Sequence, residues 1–318
     1  MPIIFNSKVE IPDEVSNVYI KEHLMMETDE MVFEQFAKNL PLSNNKGSMT
    51  IRVRRLNTID PAMTPLTEGV TPTGSKIAIT NVDIPVKQYG DYTGYSDILS
   101  TTSLDNTILD LSKVMGQQKG ETKNKLCRNA LLAGTNVVYA GGKLNRAALT
   151  SSDTLNQDFL DKIELTIKQG KAKRVTRAIS TTDAVSMEPV APAYVGFVSL
   201  NGALKIRNLA KFVPVEKYAQ NGKIFKNEIG KVGNIRFIET SDLETIAGAT
   251  KVEQMVAFGE EAYGRVETGV GGNGQLILKA LGEAGEDPLN QRGTLGWKDA
   301  LGYKILNDKF IVRGEFAQ

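Results

Sequence analysis

Residues 48–97 read SMTIRVRRLNTIDPAMTPLTEGVTPTGSKIAITNVDIPVKQYGDYTGYSD and decide the fold. Met49, Ile51 and Val53 alternate with polar residues, which is the period-two pattern of a strand with one apolar face. A return run follows at Lys76–Tyr89, and the prolines, glycines and threonines between the two runs suit an extended, irregular tip. The sequence therefore predicts a long two-stranded arm.

The return run changes phase along its length. Ile77 and Ile79 share one parity, whereas Val82 and Ile84 share the other. Because successive side chains of a strand point to opposite faces, a bulge or bend near Thr80 is predicted to turn the ribbon over.

The arm is long for a hairpin and poor in apolar surface. Eleven or so residues at about 3.3 Å each span about 35 Å, roughly twice the length of an ordinary strand. An isolated two-stranded hairpin is only marginally stable in water, so the arm needs a surface to lie on. Loop statistics alone favour an edge hairpin packed on its own domain. An arm that lies on another subunit is the alternative.

Composition narrows the classes of function. The 318 residues contain 38 basic and 37 acidic side chains, so no strong field directs the chain toward nucleic acid or a membrane. Cys127 is the only cysteine and His23 the only histidine, which excludes an internal disulfide, a cysteine-rich zinc site and most catalytic triads. Residues 1–14 lack the pattern of a secretory signal, and the apolar stretch Val190–Leu200 is too short to span a bilayer.

The N-terminal part is predicted to be an arm followed by one short helix. Residues 1–20 form an irregular leader, and Met25–Leu40 has apolar residues at helical spacing until Pro41 ends the helix. His23, just before this helix, is interpreted as a surface or capping histidine and not as a ligand.

A helix of about 27 residues, roughly 40 Å long, is predicted after the arm. Asp105 or Asn106 can cap its beginning, and Gly134 can end it. Apolar residues anchor both ends, whereas Gln117–Lys125 contains no large apolar residue. A polar middle between two anchored ends is typical of a helix that bridges across a surface.

The rest of the chain mixes short strands with two helices. Strands are predicted at Val137–Ala140, Ala193–Leu200, Gln254–Gly259 and Gln275–Lys279, a hairpin at Glu228–Glu239, and helices at Asn156–Ile167 and Leu204–Leu209. This order favours an α+β fold over a regular βαβ alternation.

No motif in the sequence predicts catalysis, a cofactor or a metal site. Gly269, Gly271 and Gly274 match a dinucleotide-binding pattern, but a strand-like run follows them where that motif needs a helix. They are interpreted as a turn between strands. Paired carboxylates such as Glu260 and Glu261 carry little specificity, and they leave a carbohydrate-active enzyme as a distant alternative.

Five basic side chains decorate the predicted long helix. They are Lys113, Lys119, Lys123, Lys125 and Arg128. No aromatic residues are interleaved for base stacking, so the pattern favours a solvated face over specific recognition of a nucleic acid. Weak, salt-sensitive contact with a phosphate backbone stays open.

Five blocks of the sequence, in order along the chain, resemble the major capsid proteins of tailed bacteriophages. They are TPLTEGVTP at Thr64–Pro72, QYGDYTGYSD at Gln88–Asp97, RNALLAGTNVVYAGG at Arg128–Gly142, GKVGNIRFIET at Gly230–Thr240 and DPLNQRGTLGWK at Asp287–Lys298. The blocks cover most of residues 45–315, and the most similar group is the one named for the major capsid protein of an N-four-like coliphage. Ser199 and Asn201 stand where that group typically has a histidine and an aspartate.

The resemblance implies the HK-ninety-seven-type capsid fold, of class α+β, and a division of the chain into parts. Residues 1–44 would be the N-terminal arm and short helix, and 45–97 the extended loop hairpin. Residues 98–144 and 251–318 would form the peripheral domain, with the long helix as its spine helix. Residues 145–250 would form the axial domain near the capsomer centre.

The function implied by the resemblance is structural and not enzymatic. Such proteins self-assemble, in the bacterial host cytoplasm, into the icosahedral or prolate shell that encloses the double-stranded DNA genome in the virion. The implied partners are further copies in hexameric and pentameric capsomers, packaged DNA bound without sequence preference, and scaffolding, portal and decoration proteins. No membrane and no cofactor is implied. A cargo-holding compartment of the same fold, like the encapsulins, is the near alternative.

With this resemblance, an arm between subunits replaces the edge hairpin as the favoured prediction. The residues predicted to contact a neighbouring subunit are Ile51, Arg52, Val53, Arg54, Arg55, Glu68, Lys76, Ile77 and Ile79. The four isoleucine and valine residues among them would form one face over the neighbour's spine helix. The five basic residues of the long helix would face the lumen and the packaged DNA.

Overall fold

The computed structural model describes residues 20–27, 31–41, 49–57, 59–71, 73–102, 107–179, 187–218, 225–248, 250–267, 275–283, 287 and 289–318. The helices within these ranges are α1 (residues 20–27), α2 (Asp97–Thr102), α3 (Thr107–Leu132), α4 (Gln157–Gln169), α5 (Leu200–Arg207) and α6 (Val215–Tyr218). Short 3-10 turns lie at Phe33–Phe36, Ala140–Gly142, Arg146–Ala148 and Asp308–Phe310. The predicted leader, apart from residue 20, and the predicted glycine turn at 269–274 lie outside the described residues.

The strands form one large sheet, two small sheets and the arm. They are β1 (Lys38–Pro41), β2 (Thr50–Leu56), β3 (Ile79–Pro85), β4 (Lys87–Ser96), β5 (Val137–Tyr139), β6 (Val175–Ile179), β7 (Met187–Ser199), β8 (Phe212–Pro214), β9 (Glu228–Val232), β10 (Ile235–Thr240), β11 (Val252–Phe258), β12 (Tyr263–Glu267), β13 (Gln275–Lys279), β14 (Arg292–Leu301), β15 (Tyr303–Ile305) and β16 (Ile311–Ala317). The small sheets are β1-β12-β15 and β13-β14-β4, and β2 with β3 makes the arm.

The large sheet is the core of the molecule. Its strands lie in the order β5-β16-β11-β7-β10-β9-β8, with β6 paired to β7. Every residue of β11 is buried, as expected for a strand covered on both faces. Tyr194 and Val198 of β7 face a cluster that includes α4 and α5, whereas Val195 and Phe197 face a second cluster with Phe33 and α3. Alternate residues of one strand therefore build both halves of the core.

The sequence predictions for this core are largely confirmed. α4 begins after Asn156, whose side-chain oxygen accepts a hydrogen bond from the Phe159 N–H at 2.9 Å. β9 and β10 form the predicted hairpin. α5 begins earlier than predicted, at Leu200, because the Ser199 side chain caps it. The combination of these helices with parallel and antiparallel strands confirms the α+β class.

The large sheet takes strands from both predicted domains. β5, β11 and β16 belong to the predicted peripheral domain, and β7 to β10 belong to the predicted axial domain. The hydrogen-bonded ladder between β11 and β7 joins the two. The boundaries at residues 145 and 250 therefore do not coincide with sheet boundaries, and they stay a prediction.

The long helix is confirmed as α3, with 26 residues and a length of about 39 Å. The interpretation of its polar middle as a bridge across a surface is wrong. Lys119, Lys123 and Asn124 are all buried there. α1 and β14 supply charged partners to the two lysines, and Asn124 bonds to the backbone of Val32 and Phe33. Within the described residues, no helix is both long and apolar enough to cross a membrane.

The predicted helix at Met25–Leu40 is wrong. α1, a 3-10 turn and β1 share this region, and β1 pairs in parallel with β12. The side-chain oxygen of Asn124 accepts hydrogen bonds from the backbone N–H groups of Val32 and Phe33 at 2.9 and 3.0 Å. The two N–H groups therefore bond to a side chain of α3. In a continuous helix they would have bonded to carbonyl groups of the same helix.

The predicted arm is present, with one correction. β2 and β3 pair in continuous register from Thr50 opposite Pro85 to Leu56 opposite Ile79. The predicted bulge near Thr80 is therefore wrong, and the change of parity along β3 places apolar residues on both faces of the arm. The chain then leaves the arm after Pro85, and β4 joins β14 in a three-stranded sheet.

Candidate assembly surface

The base of the arm packs on its own chain. Ile51 and Val53 are the partly buried apolar residues of β2, and they lie opposite Ile84 and Val82 of β3. Their face covers a small apolar cluster that contains Leu40, Ile84, Val86, Val266 and Leu306. Burial of apolar surface stabilises this docking by about 25 cal/mol per Å². The arm is therefore rooted in its own domain.

The opposite face of the arm carries exposed apolar residues. Leu56 is 66% exposed and its cross-strand neighbour Ile79 is 55% exposed, and Ile77 lies just before β3 with 58% exposed. The prediction that Ile51, Val53, Ile77 and Ile79 form one face is wrong, because the first two lie against their own domain. The exposed face contains Leu56 and Ile79, and Ile77 is exposed next to it.

Two arginines of the arm bond within the chain. Arg52 donates two hydrogen bonds to the Asp83 carboxylate, at 2.6 and 2.9 Å, and these bonds lower the pKa of Asp83. Arg55 donates to Asn307 Oδ1 at 2.8 Å and so ties the arm to the chain beyond β15. Arg54 is exposed on the same face as Leu56. Of the three arginines predicted as one contact set, Arg55 is therefore held against its own domain, whereas Arg52 and Arg54 lie on the exposed, or free, face of the arm.

The tip of the arm is exposed throughout its described residues. No described residue from 59 to 78 is buried or half-buried. The most exposed apolar side chains are Met63 and Leu66, at 85% and 78%. Glu68 and Lys76 lie in the same segment and are exposed. Apolar side chains concentrated on an exposed segment mark an interaction surface.

Two of the sequence blocks that carry the resemblance lie side by side. They supply most of β4 and β14, which pair antiparallel over ten residues. A Cβ atom on Gly90 or Gly296 would collide with the backbone of the facing strand, so both glycines permit the close pairing. Tyr92 and Ile277 line a shallow groove on the open face of this sheet, and Trp297 donates to Gln118 of α3 at 3.1 Å.

A buried cluster of four charged side chains lies between α1, α3 and β14. Glu27 accepts hydrogen bonds from Lys119 at 2.6 Å and from Lys123 at 2.5 Å. Asp299 lies 3.1 Å from the Lys123 ammonium and 3.8 Å from that of Lys119. The prediction that Lys119 and Lys123 face packaged DNA is wrong, because both ammonium groups are enclosed by these carboxylates. His23 is 1% exposed beside them, so its interpretation as a surface histidine is wrong as well.

The cluster shifts the pKa values of its members. Burial works to raise the pKa of Glu27, but the two ammonium groups outweigh burial and the pKa is lowered. Burial lowers the pKa of Lys119, and the neighbouring Lys123 lowers it further. Burial opposes the charge on Lys123 too, yet Glu27, with the other nearby carboxylates, raises its pKa. The charged forms of Glu27 and Lys123 are therefore favoured in the folded chain.

The other basic residues of α3 lie nearer the surface. Lys125 is paired with Glu121 at 3.3 Å, and both side chains are about half exposed. Arg128 lies 3.2 Å from Glu244 and also donates to the Asp242 carbonyl at 2.6 Å. Lys113 is partly exposed and lies 3.8 Å from the carboxylate of Asp110. Of the five predicted DNA-facing residues, these three have a cation within reach of solvent.

Ser199 and Asn201 contact the same buried carboxylate. Ser199 Oγ donates to Glu253, and Asn201 Nδ2 donates to Glu253 Oε1 at 2.7 Å. Ser199 Oγ also accepts the Gly202 N–H at 3.2 Å and so caps α5. Sequence reasoning missed this group because 54 residues separate Ser199 from Glu253. Across the described ranges, no three His, Cys, Asp or Glu side chains come together as a metal site.

Known proteins resemble this chain in three-dimensional structure and not in sequence. No family model and no curated protein matches the sequence. The capsid of Ralstonia phage GP4 matches with a TM-score of 0.68 and 14% identity, over 91% of each chain. The acid-stable capsid of Helicobacter pylori bacteriophage KHP30 matches with a TM-score of 0.58 and 11% identity, over 88% of this chain and 87% of that one.

The capsid of a native GTA particle matches with a TM-score of 0.60 and 11% identity, over 92% of this chain and 91% of the other. These matches span the chain nearly from end to end, so they concern the whole fold and not one motif. The narrower resemblance to the N-four-like group stays a prediction. The chain has the HK-ninety-seven-like α+β fold of phage capsid proteins.

Proposed function

We propose that the chain is the major capsid protein of a tailed bacteriophage and self-assembles into the icosahedral or prolate shell around a double-stranded DNA genome. The observation that carries the proposal is the arm, whose base is packed on its own chain while its described tip is exposed throughout. A long hairpin gains little stability in water without a surface beneath it. The capsid fold supports a neighbouring copy as that surface.

The free face and the tip of the arm make the contact between copies in this proposal. Leu56, Ile77 and Ile79 supply apolar area, while Arg54, Glu68 and Lys76 supply charge at its margin. The base of the arm is held on its own domain by Ile51, Val53 and Arg55, while Arg52 joins the two strands through Asp83. Head-to-tail contacts of this kind close into rings of five or six copies if the arm adapts to unequal neighbours.

The same proposal assigns each part of the chain to a domain of the capsid subunit. The arm corresponds to the extended loop hairpin within 45–97, and α3 to the spine helix of a peripheral domain that also takes 251–318. Residues 145–250 form the axial domain near the centre of each hexameric or pentameric capsomer. The division is supported by the order of the sequence blocks and the position of α3.

Electron microscopy of the expressed protein tests the proposed function. We expect closed shells or ring-shaped capsomers in negative stain, because the exposed arm and the capsid fold occur in one chain. The control is the same preparation after dissociation in denaturant, which must lose the particles. A preparation that stays monomeric at every concentration and salt condition contradicts the proposal.

In this proposal, packaged DNA is contacted by the three cations of α3 nearest to solvent, which are Lys113, Lys125 and Arg128. The contact is independent of DNA sequence. Each lies near a carboxylate or carbonyl oxygen, so we expect a weak contact that salt disrupts. Amine labelling should modify Lys113 and Lys125 more slowly in DNA-filled particles than in empty ones. Lys304, which donates to the Asp83 carbonyl, serves as the reference lysine. Equal labelling of Lys113 and Lys125 in both particles contradicts a lumenal role.

The proposal places the protein in the virion after assembly in the host cytoplasm. Scaffolding, portal and decoration proteins are the further partners that such a shell requires. The role is structural, and no residue is assigned to catalysis. Neither a cargo-holding compartment nor a carbohydrate-active enzyme is supported by the comparisons.

A further inference from the structure

His23 is the only histidine of the chain, and it lies buried where α1 packs on α3. The two helices come very close at this point. A Cβ atom on residue 116 would collide with the carbonyl group of His23, so the contact depends on Gly116. The histidine therefore belongs to the packed interface between α1 and α3.

The hydrogen bond of His23 fixes which nitrogen carries the proton. Nδ1 lies 3.2 Å from the carbonyl oxygen of Ser112, and a carbonyl oxygen only accepts. Nδ1 is therefore the donor, and Nε2 of the neutral ring carries the lone pair. Nε2 is buried and has no hydrogen-bond partner among the described residues. A proton added there would bury an N–H group without an acceptor, which is unfavourable.

The charges around His23 oppose a second proton. α3 contributes Lys119 and Lys123, α1 contributes Glu27, and β14 contributes Asp299. Two ammonium groups face two carboxylates, so the cluster is neutral before His23 is protonated. Glu34 also acts on Lys123, but its carboxylate is paired with Arg265 at 3.1 Å. An imidazolium would therefore add a positive charge that the cluster does not balance.

We propose that protonation of His23 releases α1 from α3, so that the docking of the N-terminal segment responds to pH. The device needs three features that the interface contains: a buried imidazole, a buried nitrogen that finds no acceptor in the described part of the chain, and two lysines on the facing helix. The consequence is local opening of residues 20–27 while the large sheet stays folded, because α1 contributes no residue to either core cluster of the sheet.

The direction of the effect follows from the pKa of His23. Burial lowers that pKa below its ordinary value of 6.5, Lys119 lowers it further, and the bond to Ser112 and the charge of Glu27 only partly oppose them. Above pH 6.5 the ring is neutral whether α1 is docked or released, so docking is at full strength. As the pH falls from 6.5 toward the lower pKa of the docked state, the released state binds the proton and docking weakens by about tenfold for each pH unit.

The carboxylate of Glu27 acts in a separate and more acidic range. Its pKa in the docked state lies below 4.5, so it keeps its charge through the range in which His23 responds. Loss of its ion pairs begins only when the pH falls through 4.5 and below. Opening that begins near pH 6.5 is therefore the signature of the histidine.

Hydrogen–deuterium exchange of the full-length chain, read by mass spectrometry on the peptide that contains 20–27, tests the proposal. Rates corrected for intrinsic exchange should give a larger opening equilibrium at about pH 5.5 than at about pH 7.5, with about tenfold as the upper limit of the change. A peptide from α4 serves as the internal reference and should not change. The experiment is carried out on free subunits, so its outcome does not depend on the proposed function.

His23→Asn is the matched variant, because its amide nitrogen can replace Nδ1 as the donor to Ser112 and cannot titrate. His23→Phe fills the ring volume without a proton. In both variants the opening of 20–27 should not change between the two pH values. Wild-type exchange that is independent of pH overturns the proposal. Equal acid-induced opening in the wild type and in either variant overturns it as well.

Discussion

Glu27→Gln is expected to lower the free energy of unfolding by about 3–5 kcal/mol, because it removes one charge from a buried, balanced cluster. Glutamine has nearly the same shape, but it leaves Lys119 and Lys123 with Asp299 as their shared carboxylate. Lys119 is fully buried and Lys123 nearly so, and neither ammonium reaches water without breaking the contact of α1 and β14 with α3.

Urea denaturation followed by circular dichroism measures this change. The matched control is Glu121→Gln, which removes the partner of Lys125 from a half-exposed pair on the same helix. An exposed pair of this spacing contributes about 0.3–0.5 kcal/mol, so the control should change little. Similar losses in Glu27→Gln and Glu121→Gln would show that the buried cluster is not an important source of stability.

Replacing residues 58–77 by an Asn-Gly dipeptide is expected to abolish shell formation while leaving the subunit folded. The described residues removed are all exposed, so their loss exposes no core surface. A shorter connection between β2 and β3 costs less loop-closure entropy, about 0.6 kcal/mol for each halving of its length. An Asn-Gly pair suits a tight turn between antiparallel strands. Assembly should fail because the deletion removes Met63, Leu66 and Ile77 from the contact.

Electron microscopy counts the particles, and thermal unfolding of the dissociated subunit checks the fold. Thr73→Ala, which keeps the loop at full length, is the matched control and should assemble as the unchanged chain does. Particles of normal number and size from the shortened chain would mean that the arm does not join subunits. Loss of the thermal transition would instead mean that the tip supports its own domain.

The sequence revealed the arm because one of its strands follows a regular alternation. Ile51 and Val53 are inward on β2, as their spacing predicts. The change of parity at Ile77 and Ile79 predicts a bulge only if the same face of the strand is buried along its whole length. In the structure the base of the arm buries one face and the far end buries neither, so a regular ladder contains apolar residues of both parities.

The buried charges could not be predicted from periodicity. Lys119 and Lys123 lie four residues apart on α3, and on a single helix such a pair looks like a solvated face. Their partner Glu27 is 92 and 96 residues earlier in the chain, and Asp299 comes from a strand near the other end. Asn124 likewise binds the backbone N–H groups of Val32 and Phe33 from a position more than 90 residues later in the chain. Local patterns contain no information about such partners.

The place of β16 in the large sheet has a consequence for the order in which the protein can fold during synthesis. β16 lies between β5 and β11, and it follows all the other described strands along the chain. When β5, β7 and β11 have already left the ribosome, the position between β5 and β11 is therefore still empty. Six of the seven residues of β16 are buried in the finished sheet, so the neighbouring strands expose apolar surface until β16 pairs with them. Folding of this sheet is thus completed only after β16, the last of the described strands, has left the ribosome.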